Sequence, residues 1–199
     1  MRRSNLAFSG WPIARFLDRL GSDDPTPGGG SAAALAGSLG CALGCMVSNL
    51  LLSRSNLSRQ ERRRLVAARA ELERAGGCLQ RLVREDARAY QQLVRAQKGG
   101  RRALLAVHKK AVDCPVEICL QTARAMQILR ALHRKTGPYL GSDVRAGQAL
   151  LRGAFEGAFA MAEVNLSENH LGSMGSRLRR RLTRLARCVR RIHGTGSLS

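Results

Sequence analysis

Aromatic side chains are scarce in this 199-residue chain: Phe8, Trp11, Phe16, Tyr90, Tyr139, Phe155 and Phe159 are the full set. A core built on ring packing is thereby excluded, and the abundant Leu, Ala and Gly point to helix packed on helix. No alternating apolar–polar stretch persists and no 20–50-residue repeat is visible, which excludes a strand-built or solenoid fold. Lysine is nearly missing too. Only Lys98, Lys109, Lys110 and Lys135 stand among 34 cations, against 14 acids, for a formal charge of +20. Such a charge is the ordinary sign of a nucleic-acid partner. Here the arginines are spread along polar helix positions and the few aromatics form no base-stacking pattern, so that partner is not the favoured reading. The six cysteines show no Cys-x-x-Cys and, with four histidines, no zinc spacing. No metal site is expected, and a reduced, cytoplasmic chain is. No sustained apolar run follows Met1–Asn5, so no signal peptide is expected.

What is present begins with the run Asp24-Pro25-Thr26-Pro27-Gly28-Gly29-Gly30-Ser31, which leads into Ala32–Leu52 without one formal charge. Prolines stiffen the approach, glycines expose backbone N–H groups, and Ser31 is placed to cap a helix whose free amides attract anions. A purely structural turn also accounts for this run. Two tracks of small residues, Ala36/Gly40/Gly44/Ser48 and Ala33/Gly37/Cys41/Cys45, lie on faces against which helices can pack closely. Membrane helices use the same device. With Ser38, Ser48 and Asn49 inside the stretch, a helix buried on all sides of a bundle, or in a dimer core, is the preferred reading over a membrane span.

The remaining chain reads as further helices. Ile13–Leu20 is short. Arg59 to about Gln97 is long, capped by Ser58, softly interrupted at Gly76-Gly77 and broken at Gly99-Gly100. Arg101–Lys135 carries Pro115 as a kink or junction. Ser142-Asp143 starts a helix ending near Asn169. Ser173–His193 is a basic amphipathic helix with Leu178, Leu182, Leu185, Val189 and Ile192 on one stripe and eight arginines from Arg177 to Arg191. That helix suits either a bundle edge or an anionic surface. One all-α domain, 1–199, is expected: a dimer-forming bundle of long antiparallel helices around a central buried small-residue helix, with its core at 13–171, the basic helix at 173–193 and a flexible tail at 194–199.

Three polar residues stand where apolar ones belong. Asp86 has Leu82, Val83, Ala89 and Tyr90 at helical spacing and falls in a stripe with Leu79, Leu93 and Val94. Glu85 beside it has Arg81 and Arg88 and is an ordinary surface carboxylate. An inward carboxylate is costly unless paired, hydrogen-bonded or protonated. Asp86 is therefore either a proton donor with a raised pKa or a structural carboxylate met by an arginine from another helix. Asp143 fits a helix beginning. Asn165 shares a face with Met161 and Ala162. Asp143 and Asn165 are 22 residues apart, roughly 33 Å along a straight helix, so they serve different ends of one subunit, or two subunits complete each other's site.

Together these features resemble the cyclodeaminase/cyclohydrolase family of folate enzymes, from about Ile13 to Leu171. The specific part is Pro27-Gly28-Gly29-Gly30-Ser31-Ala32-Ala33-Ala34-Leu35-Ala36, followed by Met46-Val47. Asp86-Ala87-Arg88-Ala89-Tyr90 is similar to the family's Asp-Ala-x-Ala-Phe segment, with Pro115, Ser142-Asp143-Val144 and Asn165-Leu166 at corresponding later places. The resemblance implies formimidoyltetrahydrofolate cyclodeaminase or methenyltetrahydrofolate cyclohydrolase chemistry in a homodimer. It implies Asp86 as the acid and Gly28, Gly29, Gly30, Ser31, Arg54, Asp143 and Asn165 around the substrate. The implied substrate carrier is tetrahydrofolate, with one or several glutamates; no metal or other coenzyme is implied, and the implied protein partner is a formimidoyltransferase. The chain departs from the family pattern at Leu51–Leu57, where Arg54 keeps one positive charge but Thr, a second cation and Tyr are missing. Met161 and Gly137 stand where asparagines are usual. A catalytically weakened folate-binding or assembly module is the alternative reading.

Overall fold

The computed structural model describes residues 8–96, 101–167 and 172–193. A short 3-10 turn, Phe8–Gly10, precedes six helices: α1 (Ile13–Leu20), α2 (Gly29–Leu52), α3 (Arg59–Ala96), α4 (Arg101–His133), α5 (Pro138–Ser167) and α6 (Gly172–His193). No strand occurs among the described residues, and the all-α expectation holds. The expected break at Gly99-Gly100, the helix end near Asn169 and the tail 194–199 lie outside the described residues.

Central helix α2 packs on α3 and α5, with α4 closing the layer behind it and α6 lying along α4 and α5. Its small-residue tracks do what their spacing implies. A Cβ on Gly40 would stand 2.8 Å from the Gly147 carbonyl oxygen, and one on Gly147 would stand 3.3 Å from that of Gly40. Only glycine permits that approach of α2 to α5. The opposite face is open: Leu39 is 50%, Met46 38% and Leu50 46% exposed. The expectation of a helix buried on all sides is thereby corrected for the single subunit. By length and composition α2 could cross a membrane, but one of its faces is occupied by helices rich in charge.

Other boundaries moved for identifiable reasons. Helix α2 starts three residues before Ala32, with Gly28 at its N-cap and no side-chain cap; Ser31 is not the cap, because its hydroxyl bonds elsewhere. Helix α3 is continuous through Gly76-Gly77. Buried Gly76 sits against Cys41, and packing overrides the ~1 kcal/mol helix penalty of each glycine. Ser58 does cap α3, and Glu61 returns the bond: the Glu61 amide donates to Ser58 Oγ at 3.2 Å and the Ser58 amide to Glu61 Oε2 at 3.2 Å. Helix α5 begins at Pro138, where a missing N–H costs nothing. Asp143 is thus more than a turn inside α5 and does not start it. On α6, Leu182, Ala186, Val189 and Ile192 are buried, so its apolar stripe is spent on the bundle rather than offered to lipid.

Candidate active site

Asp86 is presented by α3 toward the first turn of α2. Ser31 Oγ donates to Asp86 Oδ2 at 2.9 Å, and the Ser31 backbone amide donates to the same carboxyl. Gly30 makes the fit possible: a Cβ there would stand 2.1 Å from Asp86 Oδ1. The approach is held in place by the Arg19–Asp24 ion pair and by Arg19 Nε, which donates to the Thr26 carbonyl at 3.4 Å.

Burial pushes the Asp86 carboxyl above its ordinary range, and the two Ser31 hydrogen bonds oppose that rise. No cation contributes. Of the two readings left open by the sequence, the arginine-paired carboxylate is not the one observed; the partner is a serine hydroxyl at the mouth of a helix. Cys114 of α4 adjoins the carboxyl. Its thiol is pushed up to about 12, first by burial and then by Asp86, Glu85 and Asp113. A cavity of about 370 Å³ opens on the far side of Cys114, lined by Glu85, Arg88, Lys110 and Asp113 among others; Asp86 itself is not in its wall. Met161 of α5 closes on the glycine turn, its sulfur 3.5 Å from where a Cβ on Gly29 would be.

Asn165 lies one turn beyond Met161, at this same end, and has a definite task. Its Nδ2 donates to the Ala111 carbonyl at 2.8 Å. Ala111 is the residue four before Pro115, whose ring nitrogen has no hydrogen to return to it. Asn165 supplies the missing donor, and α4 runs through Pro115 unbroken. The junction expected at Pro115 is therefore repaired from another helix.

Arg54 and Asp143 do not join Asp86 in one subunit. Arg54 follows the far end of a 24-residue helix, roughly 36 Å long, and its Nη1 reaches the Lys135 carbonyl at 3.4 Å. Asp143, half-buried, stands 18 residues before Met161 on α5, roughly 27 Å along it. The expectation of Arg54 beside the glycine turn is corrected for the isolated chain. The structure brings Gly30 and Ser31 against Asp86, leaves Asn165 committed to the Ala111 carbonyl at the same end of the bundle, and adds Cys114, for which the sequence offered no periodic or motif signal.

Comparison with known proteins bears on the family and the fold. The formiminotransferase-cyclodeaminase family pattern matches residues 12–181. A formimidoyltransferase-cyclodeaminase of Gallus gallus is 28% identical over 169 residues, covering 79% of this chain and 31% of that protein; the chain spans about a third of that relative's length. A methenyltetrahydrofolate cyclohydrolase of Methylorubrum extorquens is 30% identical over 152 residues, 70% of each. The crystal structure of a formiminotetrahydrofolate cyclodeaminase from Thermotoga maritima superposes with a TM-score of 0.82 at 21% identity, covering 94% of this chain and 96% of that one. A match over most of the chain, on the residues that build the Asp86 cradle, makes it a member of the formiminotransferase-cyclodeaminase family.

Proposed function

We propose that the chain acts on the one-carbon bridge between N5 and N10 of tetrahydrofolate, as a formimidoyltetrahydrofolate cyclodeaminase or a methenyltetrahydrofolate cyclohydrolase. The observation that carries the reading is the Asp86 carboxyl, raised by burial and oriented by Ser31 beside a glycine-built helix start. In the first reaction N10 adds to the formimino carbon and its proton passes to the formimino nitrogen. Asp86 gives that nitrogen a further proton, the carbon–nitrogen bond breaks, and ammonia leaves as the methenyl ring closes. A carboxyl that stays protonated toward neutral pH suits that step. In the second, water adds to the methenyl carbon while the Asp86 carboxylate takes its proton; the carboxyl then returns the proton to N5 as the carbon–N5 bond breaks, which leaves the formyl group on N10.

The backbone amides of Gly28, Gly29 and Gly30 supply neutral donors to the substrate, and Cys114 and Met161 form apolar walls. Neither reaction calls for a metal or an organic coenzyme. The positive surface concentrates a substrate whose glutamate tail is anionic. The six free thiols suit a reducing compartment such as the cytoplasm. A homodimer and a formimidoyltransferase that feeds the site belong to the same reading. The test offers purified protein both formimino- and methenyltetrahydrofolate and follows methenyl absorbance. Turnover of one substrate chooses the reaction; no turnover and no binding of either sinks the proposal.

A further inference from the structure

Helix α6 contains no acid, and its eight arginines, from Arg177 to Arg191, are all exposed. Five of them form a row. Arg177, Arg180, Arg184, Arg187 and Arg191 follow one another at spacings of three, four, three and four, which keeps them on one face of a helix. Buried Leu182, Ala186, Val189 and Ile192 take the opposite face. The ends of the row are 14 residues apart, roughly 21 Å, and Arg181 and Arg190 flank it on either side. Arg179 turns back to the bundle, donating to the Leu166 carbonyl at 3.1 Å. No side chain of the row has a hydrogen-bond or ion-pair partner among the described residues.

This differs from the other helices, where exposed arginines meet acids: Arg69 with Glu73, Arg124 with Glu71, Arg152 with Glu156. Like charges four residues apart destabilise a helix, and α6 sets arginine against arginine at 177/181, 180/184 and 187/191. A polyanion laid along the row removes that repulsion. Its class follows from what α6 lacks. The apolar stripe is committed to the bundle, which leaves little to insert into a bilayer. No aromatic occurs in α6, so there is no platform for the unstacked bases of a single strand. A duplex keeps its bases stacked inside and presents a phosphate every ~3.4 Å of axis on each strand, about six per strand over the length of the row. Guanidinium groups pair with phosphate oxygens two at a time. With the row over a groove, Arg181 and Arg190 face the two strands that border it.

We propose that α6 docks a nucleic-acid duplex, holding its phosphate backbone without reading sequence. The docking is independent of the folate reading. Arg184, Arg187 and Arg191 lie beyond the residues that match the family pattern.

The test uses the full chain and a fluorescent mixed-sequence duplex of roughly 20 base pairs, as DNA and as RNA, with anisotropy followed from about 50 to 200 mM salt. Five phosphate contacts give a log–log salt slope of about −4.5 on DNA. The triple variant Arg180→Gln, Arg184→Gln and Arg187→Gln should lower that slope by about three and weaken binding roughly tenfold or more. Lysine at the same three positions should keep the slope. Unchanged helical circular dichroism shows that binding, not folding, was lost. Arg59→Gln, Arg63→Gln and Arg74→Gln together remove the same charge from exposed positions of α3 and should leave the slope nearly as it was. An equal loss in that control would mean that the chain's overall charge of +20 binds diffusely, and would overturn the proposal. So would tighter binding of single strands, of anionic phospholipid vesicles or of polyglutamate at equal charge.

Discussion

The two ends of the bundle treat polar groups in opposite ways. At the Asp86 end each partner is supplied from another helix and partly shielded from water: Ser31 for Asp86, Asn165 for the carbonyl that Pro115 leaves unmet. At the other end Arg54, Ser58, Glu61 and Lys135 are linked on the surface, as in the 3.2 Å pair between Lys135 Nζ and Glu61 Oε1. Surface links exchange with water and salt, so losing one costs little. Buried links have no substitute, so losing one partner strands the other. The buried end is therefore where single substitutions should act most strongly on both chemistry and stability.

Asp86→Asn should show the largest effect, a loss of about 10²–10⁴-fold in turnover, read by methenyl absorbance with either folate. Its stability should move the opposite way. A carboxyl raised by burial lends stability that is complete below the unfolded aspartate pKa of about 4 and is lost as pH rises through the folded value. The asparagine variant escapes that loss, so its thermal midpoint should gain on the parent as pH rises toward neutrality. A midpoint difference that stays flat with pH would mean Asp86 is not desolvated. Gly30→Ala should come next, because its methyl meets Asp86 Oδ1; overpacking costs about 1–3 kcal/mol in denaturant unfolding and displaces the acid. Asn165→Ala should cost about 1–3 kcal/mol, and distinctly less in a Pro115→Ala background, where the residue-115 amide can return to Ala111. Equal losses in both backgrounds would refute the repair of α4 by Asn165. Ser58→Ala, at the exposed end, should cost only about 1 kcal/mol.

Much of this contrast was legible in the sequence. The charge-free stretch, its small-residue tracks and the carboxylate in an apolar stripe located α2 and Asp86 before any coordinates, because helical periodicity is a local property. Partners were not legible, because they come from distant segments. Ser31 looked like a cap on local grounds, yet its hydroxyl crosses to a residue 55 positions away. Gly76-Gly77 looked like a soft interruption, but α3 runs on through it, with Gly76 packed on Cys41. Asn165 was recognisable as misplaced; that it answers Pro115 could not be known without the α4–α5 packing.

The thiol of Cys114, close enough to Asp86 to feel its charge, has a consequence for oxidative stress. Peroxides and electrophiles attack thiolate, not thiol. A group pushed up to about 12 is ionised at neutral pH in only about one molecule in 10⁵. A sulfur atom can thus stand beside the candidate acid without becoming a point of chemical damage.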